Sequence, residues 1–340
     1  MSDDELTFTG LPFHASEHIF PEIVTVKSAF RQPRFDVSPG TSLGDLVGIL
    51  TYSNGRYIVQ LETTIVRAEV EQSEQDTVPA ASDDQLTLAT YNLKNLDPKV
   101  EEHERPSNLT EEQFRGFRAT DDIGDGRFRE IATQIVNHLS SPDIIALQEV
   151  QDNDGTEVTL EADARETLRV LLDAIEGAGG PKYDAVAVPP PVVHGDGGQP
   201  GGNIQNAFLV RSDRGIEVIE HNRLFDDADA YPEFQRGRKP LRMRVSYDGT
   251  TIEIVNVHLK SKLGDQGLYT NHENPMPQSE NQRLAQVASI LDFLASSVEH
   301  SKTPIVVLGD FNDYASSRSV QEFVNAPQQI QIAEGNSGIG

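Results

Sequence analysis

From Leu86 onward, short apolar runs alternate with amphipathic stretches, and this alternation constrains the fold more than any other feature of the chain. Residues 144–147 and 305–308 are apolar, rich in β-branched residues and too short for helices, so they predict buried strands. Apolar residues recur at helical spacing over residues 131–139, 168–175 and 284–291. The third of these helices is expected to expose Arg283. The alternation therefore predicts an α/β fold.

Residues 1–70 lack this alternation and are predicted to form a small β-rich unit. Strands are predicted at residues 23–26, 44–52 and 57–61. The last two strands flank the turn Ser53-Asn54-Gly55, which is typical of a hairpin. Residues 71–85 are polar and acidic and are predicted to be a linker, so the second domain would span residues 86–340.

Charge and composition exclude several classes of protein. The formal net charge is −26, from 54 acidic and 28 basic residues, so the whole chain lacks a basic nucleic-acid footprint. Cysteine is absent from the sequence, which excludes disulfides, thiolate metal sites and a cysteine nucleophile. No apolar run approaches the roughly 18 residues of a membrane-spanning helix. The acidic start, residues 1–5, is not followed by an apolar segment, so no signal peptide is expected.

Four predicted strands end in polar residues that a buried strand does not need. These residues are Asn92, Gln148, Glu149, Asn256, His258, Asp310 and Asn312. Asn256 and His258 lie two positions apart in an apolar strand, so both side chains are expected on one face. If the strand ends meet at one rim, carboxylates, carboxamides and an imidazole share a pocket.

Such a pocket suits a hard divalent cation, because Mg²⁺ prefers oxygen ligands that include one or two carboxylates. A bound cation polarises a phosphoryl oxygen and stabilises the leaving alkoxide, while a carboxylate orients the attacking water. The polar strand ends therefore predict hydrolysis of a phosphate ester with Mg²⁺ or Mn²⁺ as cofactor, and Ca²⁺ as an alternative.

Four segments, taken in order, resemble the motif set of the endonuclease/exonuclease/phosphatase superfamily, which has the deoxyribonuclease I-like fold. The segments are Thr90-Tyr91-Asn92-Leu93, Ala146-Leu147-Gln148-Glu149-Val150, Asn256-Val257-His258-Leu259-Lys260 and Gly309-Asp310-Phe311-Asn312. Segments 201–209 and 238–241 resemble the large extracellular bacterial nucleases of this superfamily. The resemblance implies a two-layer β-sandwich flanked by helices, preceded by an OB-like unit within residues 1–70.

The same resemblance implies a role for each motif residue. Glu149 would be the main metal ligand, and Asn92 would support the metal and the phosphate. The implied catalytic residues are His258, Asp310, Asn312 and Asn256. Among them, Asp310 would orient the nucleophilic water and Asn312 would contact the phosphate. Substrate-binding roles against the nucleic-acid backbone fall on Arg238, Lys260 and Asn203.

One motif of the family has no counterpart in this sequence. The family ends with an Asp-His pair on a late strand, whereas no histidine follows Asp310 here. The final strands and the second catalytic histidine are therefore expected to be missing, through truncation or degeneration. Loss of one member of a catalytic set removes much of the rate.

The resemblance favours a nuclease that hydrolyses DNA, with nucleic acid as the partner. A phosphomonoesterase or a sphingomyelinase-type phosphoesterase is the first alternative, because one fold serves many substrates. A non-catalytic nuclease domain that acts as a binding module is the second. The family resemblance implies an extracellular location, although the start of the chain carries no export signal. No sequence pattern indicates the oligomeric state.

Overall fold

The computed structural model describes residues 25–28, 45–53, 56–61, 77–80, 82, 84–99, 121–198, 202–262, 278–297, 303–315, 317–326 and 330–333. The strands are β1 Thr25–Ser28, β2 Gly48–Ser53, β3 Arg56–Leu61, β4 Leu88–Leu96, β5 Ile144–Val150, β6 Tyr183–Ala187, β7 Gln205–Arg211, β8 Glu217–Arg223, β9 Leu241–Tyr247, β10 Thr250–His258, β11 Ile305–Asp310 and β12 Ile330–Ala333. The helices are α1 Arg127–Thr133, α2 Arg165–Gly177, α3 Gln278–Ser297 and α4 Arg318–Val324. A π-helical turn, Gln134–His138, continues α1, and a 3₁₀ turn spans Pro232–Phe234.

The N-terminal strands form a sheet of their own. Its order is β1-β3-β2, with β2 and β3 antiparallel and β1 parallel to β3. The hairpin between β2 and β3 matches the prediction, although two residues of its turn lie outside the described residues. Val78, in the predicted linker, bonds through its backbone to His138 and Ser140. The boundaries at residues 70 and 85 stay predictions.

The remaining strands form two mixed sheets that pack face to face. One has the order β4-β5-β7-β6, and the other has the order β12-β11-β10-β9-β8. Parallel pairing joins β4 to β5 and β10 to β11 to β12, while the other neighbours are antiparallel. Together with the flanking helices, this arrangement confirms the predicted α/β fold with a two-layer β-sandwich.

Three buried clusters fill the spaces between four layers. The first packs α1 and α2 on the four-stranded sheet, around Ile135. The second lies between the sheets and includes Phe208 and Met243. The third packs α3 and α4 on the five-stranded sheet and includes Ile290 and Phe323. Because each fully buried side chain of this size contributes roughly 1.5–3 kcal/mol, these clusters hold the sheets in a fixed relation.

The sequence patterns locate most elements but misjudge some details. The first strand of the sandwich runs past its predicted end at Asn92 to Leu96, and β6, β8, α4 and β12 were not predicted. The expectation that Arg283 is exposed is wrong, since this residue is only 2% exposed. In the described part of the chain, no helix has the length and apolar character needed to cross a membrane.

The parallel strand pairs bring the polar strand ends together. His258, the last residue of β10, lies beside Asp310, the last residue of β11. Gly309 makes this close pairing possible. Its φ is +140°, and a Cβ there would lie 2.0 Å from the carbonyl oxygen of Val257. Any other residue would push β11 away from β10 and separate the two side chains.

Candidate metal centre

Glu149, His258 and Asp310 converge at the rim of the sandwich, where β5, β10 and β11 end. One ligand atom from each lies within 4.8 Å of the other two. His258 Nε2 is 3.8 Å from Glu149 Oε1 and 3.5 Å from Asp310 Oδ2. The imidazole is 2% exposed, whereas the carboxylates are 21% and 27% exposed. The arrangement is therefore anchored by a buried base and open toward solvent at its acidic side.

Asn92 joins the two carboxylates from the end of β4. Its Nδ2 donates to Glu149 Oε1 at 3.1 Å and to Asp310 Oδ2 at 2.9 Å. Its Oδ1 accepts a bond from the Lys94 backbone N–H at 2.8 Å, which fixes the orientation of the carboxamide. We call Asn92, Glu149, His258 and Asp310 the rim cluster.

The backbone around the rim cluster adopts conformations that are uncommon outside glycine. Glu149 has a φ of +55° and Asn312 has a φ of +52°. Left-handed conformations cost energy for such residues and occur often at functional sites. Asn312 is held by two bonds, from its N–H to Asp310 Oδ1 at 2.8 Å and from its Nδ2 to the Leu259 carbonyl at 3.0 Å.

His258 is held in its neutral form. Burial and, to a lesser extent, the charge of Arg238 lower the pKa of His258 well below its usual value. Its Nδ1 is buried and has no hydrogen-bond partner among the described residues. A neutral imidazole does not offset the negative charge of Glu149 and Asp310, so these two carboxylates attract a cation. Two carboxylates and one neutral imidazole fit a divalent metal ion in ligand type and number.

Arg238 is the basic residue next to the two acids. Its Nη2 donates to the Leu259 carbonyl at 2.9 Å, while its Nε is buried and has no hydrogen-bond partner among the described residues. Burial lowers the pKa of Arg238, and the charges of Glu149 and Asp310 act against this shift. The guanidinium therefore keeps a free donor close to the rim cluster.

Asn256 lies on the same strand as His258 but outside the rim cluster. It is completely buried between the sheets. Its Nδ2 donates to the Leu147 and Ala207 carbonyls, each at 2.9 Å, and its Oδ1 accepts a bond from Gln148 Nε2 at 2.7 Å. These bonds link β10 to the opposite sheet, so the structure gives Asn256 a position inside the sandwich rather than at its open edge.

The predicted substrate-binding residues are not all brought together. Asn203 is completely buried and donates to Asp152 Oδ2 and to the Glu161 carbonyl. Lys260 directly follows Leu259, and its backbone N–H donates to Gln286 Oε1 at 2.9 Å. Arg238 thus lies beside the rim cluster, Lys260 follows the end of β10, and Asn203 belongs to a separate polar cluster.

The sequence patterns missed a buried ion pair behind the rim cluster. Arg283 Nε lies 2.9 Å from Asp313 Oδ2, and its Nη1 donates to the Lys260 carbonyl at 3.0 Å. Lys262 Nζ lies 2.6 Å from Asp313 Oδ1. This network ties α3 to the segments that follow both β10 and β11. Arg283 opens an amphipathic stretch, and nothing in that pattern separates a buried arginine from an exposed one.

A cavity of about 620 Å³ lies elsewhere, between the edge strands β6 and β8. Asp184, Val210 and His221 are among its lining residues, and it shares no residue with the rim cluster. Its walls mix apolar side chains with charges, and the group of metal-ligand atoms found among the described residues, from Glu149, His258 and Asp310, lies outside it. The chemistry of the rim cluster, rather than the size of a cavity, marks the candidate site.

Residues 89–332 match the sequence profile of the Endonuclease/Exonuclease/phosphatase family, which is well over half of the chain. Among curated proteins, none matches the sequence closely enough to count as a relative. The matched region begins just before Asn92 and extends past Asn312, so it contains the whole rim cluster.

Several solved structures are similar to this chain. Humanized D. rerio TDP2 is 16% identical, with a TM-score of 0.41, over 72% of this chain and 68% of that one. The human Nocturnin catalytic domain with bound sulfate is 18% identical, with a TM-score of 0.39, over 59% and 62%. A hairpin deletion mutant of Staphylococcus aureus beta toxin is 11% identical, with a TM-score of 0.40, over 70% and 71%. This chain spans less than two thirds of the Nocturnin domain.

Proposed function

The chain belongs to the endonuclease/exonuclease/phosphatase family, and from this membership we propose that it is a divalent-metal-dependent phosphodiesterase that hydrolyses DNA. Members of this family are generally metal-dependent hydrolases of phosphoester bonds. The observation that carries the proposal for this chain is the rim cluster, in which Glu149, His258 and Asp310 place ligand atoms within 4.8 Å of one another.

Glu149, Asp310 and His258 would hold the cation, with His258 binding through Nε2, its nitrogen nearest the carboxylates. A divalent cation bound there supplies Lewis-acid polarisation of the phosphate and stabilises negative charge on the leaving oxygen. Asn92 keeps the two carboxylates at a fixed separation through its two N–H bonds. Because these ligands come from three strands of a packed sandwich, the site is preorganised.

Arg238 and Asn312 would bind the phosphate. The charge of Arg238 interacts with Glu149 and Asp310, so its guanidinium is placed to meet a phosphate oxygen bound next to these acids. The Asn312 backbone turn is fixed by Asp310 Oδ1, so its side chain is held next to the same carboxylate. Asp310 would also orient the attacking water, because its carboxylate can accept a hydrogen bond from that water.

DNA is proposed as the substrate because the motif set resembles that of nucleases. The net charge of −26 opposes tight binding of a polyanion, so binding should depend on the metal and on Arg238. The proposed reaction uses His258, the histidine of the rim cluster.

The test is nicking of supercoiled plasmid by the full chain with Mg²⁺, Mn²⁺ or EDTA, from low to high salt. Glu149→Gln should abolish nicking, because it removes a charged ligand and keeps the shape of the side chain. The matched control is Asp173→Asn on α2, where the carboxylate is 64% exposed and pairs with Arg169. This control should nick like the unsubstituted chain.

A substrate panel separates the proposal from its alternatives. Bis-p-nitrophenyl phosphate, p-nitrophenyl phosphate and sphingomyelin vesicles represent a simple diester, a monoester and a lipid. Metal-dependent cleavage of plasmid and diester, lost in Glu149→Gln, supports the proposal. Preferential cleavage of the monoester or of sphingomyelin would show that the substrate belongs to that class and is not DNA. Metal binding without cleavage of any member would identify a binding module.

A further inference from the structure

A second polar cluster lies where the segment after β5 passes the segment before β7. Val150 and Gln205 are antiparallel partners, so the residues that follow Val150 run beside those that precede Gln205. The bond from Asn203 Nδ2 to Asp152 Oδ2 joins the two segments directly. The cluster contains Gln151, Asp152, Asp154 and Gln205, and we call it the β5–β7 cluster.

Unsatisfied polar atoms concentrate in this cluster. In the described part of the chain, ten buried side-chain nitrogen or oxygen atoms have no hydrogen-bond partner, and five belong to the β5–β7 cluster. They are Gln151 Oε1, Gln151 Nε2, Asp152 Oδ1, Asp154 Oδ1 and Gln205 Oε1. Native proteins satisfy most buried polar atoms, so such a concentration calls for a partner that the neighbouring residues do not supply, such as an ion or a water.

Two carboxylates face each other in the cluster. Asp152 is completely buried. Burial raises the pKa of Asp152 to about 7, and the hydrogen bond from Asn203 only partly offsets this effect. The neighbouring charge of Asp154 raises the pKa of Asp152 further. Two neighbouring acids with unpaired oxygens need a positive charge or a shared proton between them.

Gln151 gives an independent indication of a ligand. Gln151 is completely buried, and neither the oxygen nor the nitrogen of its carboxamide has a hydrogen-bond partner among the described residues. The carboxamide lies against Gly202, where a Cβ would come within 2.4 Å of Nε2 and 2.6 Å of Oε1. Gly202 precedes Asn203, the residue that bonds to Asp152. The unused amide of Gln151 thus lies against the segment whose next residue, Asn203, bonds to Asp152.

We propose that the β5–β7 cluster binds one Ca²⁺ ion, through Asp152, Asp154 and the side-chain oxygen of Gln151. Calcium takes six to eight oxygen ligands from carboxylates, carboxamides and carbonyls in a flexible geometry, which suits this donor set. All the unsatisfied acceptors here are oxygens, and histidine and cysteine are absent from the cluster, so zinc is disfavoured. Gln205 Oε1 lies at the start of β7 and completes the polar lining.

Bound calcium would join the end of β5 to the start of β7 and so stabilise the edge of the four-stranded sheet. Asp152 lies three residues after Glu149, so the ion would also fix the segment that leaves the rim cluster. This site is separate from the rim cluster in its residues, and the proposal does not depend on the reaction proposed above.

The experiment measures calcium binding to the full chain carrying Glu149→Gln, which weakens the rim cluster as a competing site. Calorimetric titration with CaCl₂ should give one ion per chain, and a hundredfold excess over Kd should raise Tm by about 5 °C or more. Adding Asp154→Asn should abolish both effects. Adding Asp173→Asn, an exposed acid on α2, should change neither.

Each other result overturns the proposal. Calcium binding that survives Asp154→Asn would place the ion elsewhere. If Asp154→Asn does not fold, the Glu149→Gln chain still decides, because absence of stoichiometric calcium at millimolar CaCl₂ refutes the site. A Tm that is insensitive to calcium but falls as pH rises from about 4 to about 7 would indicate a shared proton on the two carboxyls instead.

Discussion

Asn256 and His258 lie two residues apart on one face of β10, yet their surroundings differ. Asn256 is completely buried and uses its amide hydrogens and its oxygen in bonds to β5 and β7. His258 is nearly as buried, but its Nδ1 has no partner in the described part of the chain, and its Nε2 faces Glu149 and Asp310. Burial alone therefore does not distinguish a residue that stabilises the fold from one that is available to bind a ligand. The two are distinguished by whether all their polar atoms have hydrogen-bond partners.

The same contrast separates two regions of the sandwich. Inside it, Gln148, Asn206 and Asn256 bond across the gap between the sheets. At its edge, the rim cluster places two partly exposed carboxylates beside a neutral imidazole. The inner residues are expected to contribute stability, and the rim cluster is expected to contribute activity. Substitutions on the two sides of this boundary should have different effects.

The largest expected effect is on activity, from His258→Ala. Removing the imidazole deletes a metal ligand, so kcat/KM for plasmid nicking should fall at least about a hundredfold. Stability should also fall, because truncation leaves a cavity at this buried position, although no hydrogen bond through Nδ1 is lost. Nicking rates and urea unfolding, measured on the same preparation, check both parts. Unchanged nicking would remove His258 from the site.

The next effect is on stability, from Asn256→Ala. The substitution removes three buried hydrogen bonds, to the Leu147 and Ala207 carbonyls and from Gln148 Nε2, at about 1 kcal/mol each, and it leaves a cavity between the sheets. Unfolding free energy should fall by about 3 kcal/mol or more, as measured by urea denaturation. The folded fraction should keep most of its nicking activity. A stable protein with strongly reduced activity would show that Asn256 acts in catalysis, as the family resemblance implies.

A smaller effect is expected from Arg283→Lys, behind the rim cluster. Lysine keeps the charge beside Asp313 but loses the fork that also reaches the Lys260 carbonyl. The segments after β10 and β11 should then shift, and kcat should fall about tenfold with a smaller change in KM. Mn²⁺ affinity should weaken in parallel. A loss of stability with unchanged kcat would show that Arg283 stabilises the fold but does not position the rim cluster.

The smallest effect concerns acid stability. Burial raises the pKa of Asp313, but hydrogen bonds from Lys262 and Ser319 and the charge of Arg283 outweigh it, so the net pKa is lowered. A lowered pKa stabilises the folded state above the unfolded value of about 3.9, and the contribution is lost as pH falls through the folded pKa. Asp313→Asn should make unfolding free energy less dependent on pH below about 4. An unchanged acid profile would contradict the ion pair.

The strand-end motifs predicted the rim cluster because parallel strands end at one edge and polar residues there are unusual. Register could not be predicted, and it is register that places His258 beside Asp310 and takes Asn256 into the interior. Arg283 and Asn203 show the same limit. Each is a polar residue in a polar or amphipathic stretch, and only the partners supplied by other segments show that both are buried.

Metal binding by the rim cluster can be measured by Mn²⁺ titration followed by electron paramagnetic resonance. The unsubstituted chain, Glu149→Gln, Asp310→Asn and the control Asp173→Asn would be compared in the absence of substrate. We expect one Mn²⁺ site to be lost in Glu149→Gln and in Asp310→Asn and to be retained in Asp173→Asn. Equal stoichiometry and affinity in all four proteins would show that the metal binds elsewhere.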